Sequence, residues 1–83
     1  MYKLLIEKQV EKHLDRIPIP DYARVKESIL ALAQNPRPSG YKKLKGRDGY
    51  RIRQGNYRII YDIQDNVLTV FILAIGHRRD IYD

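Results

Sequence analysis

The sequence predicts an α+β domain: a small, mainly antiparallel sheet of about four strands with an N-terminal helical hairpin packed on one face. Three observations carry that expectation. Apolar residues recur at helical spacing twice between residues 7 and 32, strand-like segments fill residues 50–75, and proline- and glycine-rich breaks separate the two regimes. At 83 residues the chain holds one domain, 1–83.

The elements follow in the order βααβββ. Residues 2-YKLLI-6 read as a short strand. From Glu7 to Arg16 the apolar positions Val10, Leu14 and Ile17 share a helix face, and 17-IPIP-20 ends that helix because each proline pushes its predecessor out of α conformation. Asp21 is placed to cap a second helix, whose stripe is Tyr22, Val25, Ile29 and Leu32; 35-NPRPSG-40 stops it.

The second half reads as strand after strand. Gly55-Asn56 is a favoured two-residue hairpin turn, and it sets a register in which Gln54 faces Tyr57, Arg53 faces Arg58, Ile52 faces Ile59, Arg51 faces Ile60 and Tyr50 faces Tyr61. Opposed residues point to the same side. One face therefore carries Tyr50, Ile52, Ile59 and Tyr61 for the helices to cover, and the other carries Arg51, Arg53, Arg58 and Ile60. Asp65-Asn66 is a second turn signal, leading into 67-VLTVFILAI-75. That run is apolar on both faces, as a central strand should be, and the N-terminal strand is expected on its free edge.

Composition narrows the function. The net charge is +6, and residues 42–58 hold seven bases against the single acid Asp48, so this segment carries the whole excess. A focused basic patch points to a polyanionic partner, nucleic acid or an acidic protein. No apolar run approaches the roughly 20 residues that span a bilayer, and no secretion leader precedes the first strand. With no cysteine, disulfides and thiolate metal sites are excluded, in keeping with a cytoplasmic protein. The two histidines, His13 and His77, do not make a metal site, so no metal or other cofactor is expected.

The arginines are the chemical signal. Like charges opposed across two strands destabilise the pair by a few tenths of a kcal/mol to about 1 kcal/mol. A small domain gains nothing for folding from that arrangement, whereas planar, permanently charged guanidinium groups suit phosphate oxygens. A final strand antiparallel to 57-YRIIYDI-63 would end beside Tyr57 and Arg58. With Gly76 permitting a change of direction, the tail 76-GHRRDIY-82 is expected to bring His77, Arg78, Arg79 and Tyr82 to the arginine corner.

In 44-LKGRDGYRIRQGNYRIIYDI-63 and 73-LAIGHRRDIY-82, and more loosely over the whole chain, the sequence resembles the RelE/ParE superfamily of toxins from type II toxin–antitoxin modules. It is most similar to the RelE branch. The resemblance implies a messenger-RNA endoribonuclease that enters the ribosomal A site, where the RNA's own 2′-hydroxyl attacks the phosphate and leaves a 2′,3′-cyclic phosphate and a 5′-hydroxyl end. It also implies an antitoxin partner, and no membrane or DNA contact except through that antitoxin. Carried over, the family's two basic residues of the first hairpin strand fall on Arg51 and Arg53, and the arginine after the turn falls on Arg58. Arg78 takes the place of the arginine after the last-strand glycine, and Tyr82 that of the catalytic tyrosine.

One departure matters for mechanism. The best-studied RelE pattern has lysines at the first two positions, the second discussed as a general base, and Arg53 is ill suited to that role because a guanidinium keeps its proton. Tyr82 and His77 are the two groups left to take the proton. Lys42, Lys43, Lys45, Arg47 and Arg79 read as contacts to ribosomal RNA phosphates. The other functional class compatible with this fold is a non-catalytic, ParE-like inhibitor of DNA gyrase; Tyr82 and the Arg51/Arg53 pair favour the ribonuclease.

Overall fold

The structure, a computed structural model, describes residues 1–77. Its elements are β1 (Lys3–Ile6), α1 (Lys8–Asp15), α2 (Asp21–Ala31), β2 (Lys42–Lys43), β3 (Tyr50–Gln54), β4 (Tyr57–Gln64) and β5 (Thr69–His77). The described residues form a five-stranded sheet in the order β1-β5-β4-β3-β2. β1 runs parallel to β5, and the other pairings are antiparallel. The α+β class and the helical hairpin are as expected. The fifth strand is new: two lysines of β2 pair with Arg51 and Tyr50 at the sheet edge.

The hairpin register is the one the turn dipeptide implies, from Tyr50↔Tyr61 to Gln54↔Tyr57. Gly55 supplies the left-handed backbone at the first turn position, with φ +61°. Under the helices, Val10, Leu14, Val25, Ile29 and Leu32 pack on Ile52, Ile59, Tyr61, Ile63, Val70, Ile72 and Ile75 as one core. Each such aliphatic side chain removed from water contributes about 1.5–3 kcal/mol, which offsets the entropy of ordering so short a chain.

Two boundaries depart from expectation. Pro20, not Asp21, occupies the cap position of α2, and Asp21 is its first helical residue, placing a carboxylate in the first turn where the helix dipole favours it. After β4 the chain makes a 3-10 turn over Asp65–Val67 and passes through Leu68 in a left-handed conformation, so β5 begins at Thr69.

The loop after α2 is tied down at the end of the sheet away from the hairpin turn. Tyr61, fully buried, donates its hydroxyl to the Pro36 carbonyl at 2.7 Å, and burial pushes its pKa up to about 12. Arg37 grips Asp65 through both carboxylate oxygens, at 2.9 and 3.3 Å, while the Tyr2 hydroxyl donates to the same carboxylate. The Arg37 hydrogen bonds hold the Asp65 carboxyl below its usual value. Arg37 also lies over the Tyr50 ring, 6.0 Å from its centroid.

Candidate active site

On the sheet face away from the helices the cations fall into rows fixed by strand pairing. Arg53 pairs with Arg58, and Arg58 pairs with Gly76. The next row runs Lys42, Arg51, Ile60, Ala74. Since opposed residues share a side, Arg51, Arg53, Arg58 and Lys42 lie on one face. Gly76 adds no side chain to its row.

The three arginines are not equivalent. Arg53 is exposed, Arg58 is half-buried and Arg51 is only 8% exposed, although neither α1 nor α2 covers this face. Its neighbour Ile60 is 2% exposed. The Nε atoms of both Arg51 and Arg58 are buried, so these side chains are held instead of waving in solvent. A guanidinium held this way has lost much of its rotamer freedom before any ligand arrives. That preorganisation is what an anion site requires.

The remaining basic residues divide. Lys42 stands opposite Arg51 on the arginine side, whereas Lys43 stands opposite Tyr50 on the other. Lys45 and Arg47 are exposed on the 44–49 loop, which is anchored by buried Leu44 and closed by its amide donating to the Gly49 carbonyl at 3.0 Å. The role of Lys42 in the arginine row was not legible, because a two-residue strand of lysines carries no apolar alternation.

His77 does not lie where the sequence pattern suggests. The strand does not turn at Gly76 but continues through His77, which pairs with Tyr57. Tyr57 packs against the core, so the pair opens on the helix side, its rings meeting edge to face at 5.7 Å. His77 thus shares the sheet end with Arg58 but not its face. Arg78, Arg79 and Tyr82, the other expected members of the corner, lie outside the described residues.

This fold, with cations gathered on one sheet face, belongs to a known class. The family profile described as "ParE toxin of type II toxin-antitoxin system, parDE" matches residues 4–82. Toxin RelE3 of Methanocaldococcus jannaschii is 37% identical over 87 residues, covering 98% of this chain and 96% of that protein. The crystal structure of the archaeal RelE–RelB complex from Pyrococcus horikoshii superposes with a TM-score of 0.82 at 35% identity, covering 93% of this chain and 94% of its own. The RelBE2 toxin–antitoxin complex of Mycobacterium tuberculosis gives a TM-score of 0.78 at 30% identity, covering 93% and 98%. The chain is a toxin of the RelE/ParE superfamily of type II toxin–antitoxin systems.

Proposed function

We propose that this toxin is a ribosome-dependent endoribonuclease acting in the cytoplasm, cutting messenger RNA in the A site. The carrying observation is the Arg53–Arg58 pair aligned across the hairpin beside Gly76, with a buried Arg51 in the next row. In the reaction, the 2′-hydroxyl oxygen bonds to the adjacent phosphorus and the bond from phosphorus to the 5′-oxygen breaks. The 2′-hydroxyl proton passes to a base, and the departing 5′-oxygen takes up a proton. Arg51, Arg53, Arg58 and Arg78 neutralise charge building on the phosphorane, typically the largest contribution to such catalysis. Lys42, Lys43, Lys45, Arg47 and Arg79 contact RNA phosphates and position the toxin.

The base is Tyr82 in this reading. Arg53 cannot give up its proton, and His77 stands on the far side of the sheet from the arginines. An antitoxin is the natural partner. Its support is that solved relatives are toxin–antitoxin complexes and that the +6 segment offers an acidic, fold-on-binding segment a complementary face.

The ParE description of the matching family profile keeps one rival in view, inhibition of DNA gyrase without catalysis. A reconstituted bacterial translation system separates the two. The ribonuclease predicts new, codon-positioned 5′-hydroxyl ends on ribosome-bound messenger RNA. Intact messenger together with gyrase-dependent DNA breaks would overturn it.

A further inference from the structure

A second cluster of functional side chains sits on the helix side of the sheet, outside the arginine face. The end of α1 brings His13 and Arg16 over the Tyr57–His77 ring pair, and Ile17 and Ile75 line the same cleft, which holds about 450 Å³. Small-ligand sites fall in the range of roughly 300–1,000 Å³. Among the described residues no carboxylate lines it. His13 and Arg16 are exposed, so core packing does not account for their presence there.

The lining has the chemistry of a nucleotide site. Tyr57 and His77 offer aromatic surface to a base, while the Arg16 guanidinium and the His13 imidazole offer donors to a phosphate. An acidic peptide would use those donors but not the ring pair. The location adds to this. Tyr57 directly precedes Arg58 and His77 directly follows Gly76, so the cleft and the Arg53–Arg58–Gly76 row lie on opposite sides of the same two strand ends.

We propose that the cleft is a nucleotide subsite, taking the base and phosphate of the nucleotide next to the one held on the arginine row, in the same RNA strand, as that strand turns around the ends of β4 and β5. The proposal rests on the arginine face being the RNA-binding face.

The test is an NMR titration of the intact toxin with adenosine 5′-monophosphate, with inorganic phosphate, and with a 2′-O-methyl trinucleotide that cannot be cleaved. Adenosine monophosphate is expected to shift the ring signals of His13, His77 and Tyr57 to saturation, and phosphate to bind at least about tenfold more weakly. The trinucleotide should bind at least about tenfold tighter than the mononucleotide and move the Arg58 signals as well, because its second contact is intramolecular. Arg16→Gln, at an exposed helix end, should weaken the mononucleotide about tenfold and remove most of the trinucleotide's gain.

Unmoved signals at those three rings overturn the proposal. So does a trinucleotide that binds no tighter than the mononucleotide, or a cleft that answers only to an antitoxin segment. A toxin that leaves messenger RNA intact on programmed ribosomes yet binds these probes as described would refute the ribonuclease reading and leave the subsite standing. Cleavage with an unresponsive cleft would do the reverse.

Discussion

Arg53 stands where the resemblance to RelE would place a lysine base, and the consequence can be measured. If it acts only through its charge, Arg53→Lys should retain cleavage within about tenfold of the parent, since charge survives although the bidentate fork is lost. Collapse of the rate by more than a thousandfold would mean that the fork itself holds the phosphate. Arg58→Ala, from a half-buried position in the same row, should abolish growth arrest while leaving a folded protein. A soluble, folded and still toxic variant would remove the arginine row from the mechanism. Tyr82→Phe tests the remaining base: single-turnover cleavage on programmed ribosomes should slow by about 10²–10⁴-fold, and an unchanged rate would take the phenol out of the chemistry. The shared face of the arginines is legible in the sequence because one dipeptide, Gly55-Asn56, fixes the parity of every residue around it. His77 is misplaced by the same parity rule. Treating Gly76 as a corner ends the strand one residue early, and a single further step along a strand moves a side chain to the opposite face.

At the scale of elements, the 44–49 loop and the Arg37–Asp65 clasp make opposite kinds of demand on the sequence. Gly49 sits at φ +123°, and a Cβ there would meet Leu44 Cδ1 at 3.1 Å and the Tyr61 carbonyl oxygen at 3.3 Å. Gly49→Ala should therefore cost about 1–3 kcal/mol, whereas Gly46→Ala, at φ +73° with open space around it, should cost only about 1 kcal/mol. Equal denaturation midpoints for the two variants would show that the contacts with Leu44 and Tyr61 relax freely. The clasp is electrostatic instead. Because Arg37 holds the Asp65 pKa below the ordinary 3.8, its contribution is present above that pH and lost as pH falls through the lowered folded value. Asp65→Asn should unfold at lower denaturant than the parent at pH 7, and the two curves should draw together as pH falls through the lowered folded value. A gap unchanged by acid would show that the Asp65 charge does not contribute through this clasp. The clasp leaves no trace in the sequence pattern, since Arg37 and Asp65 are 28 residues apart and no periodicity links them. The same holds for β2, whose two lysines are a strand only because β3 is there to pair with. By contrast, the helix stripes and the place of β5 are legible, because apolar spacing reports directly on burial.

At the scale of the molecule the charge is segregated. All of the net +6 lies in residues 42–58, which supply β2, the 44–49 loop, β3 and the start of β4. Antitoxin affinity should accordingly fall by about tenfold or more between roughly 50 and 300 mM salt. An affinity indifferent to salt would assign the interface to apolar contacts, for which the outer sheet face offers Leu5 and Leu73, each 41% exposed.

The parallel pairing of Lys3 with Thr69 ties the beginning of the chain to a strand synthesised long after it. Until residues 69–77 have been made, β1 has no partner and β4 has only one neighbour, so neither the core nor the arginine surface can assemble progressively during translation. A polypeptide stopped before Thr69 should show no dispersed amide signals, and a natively folded 1–68 fragment would show that the sheet closes without its central strand.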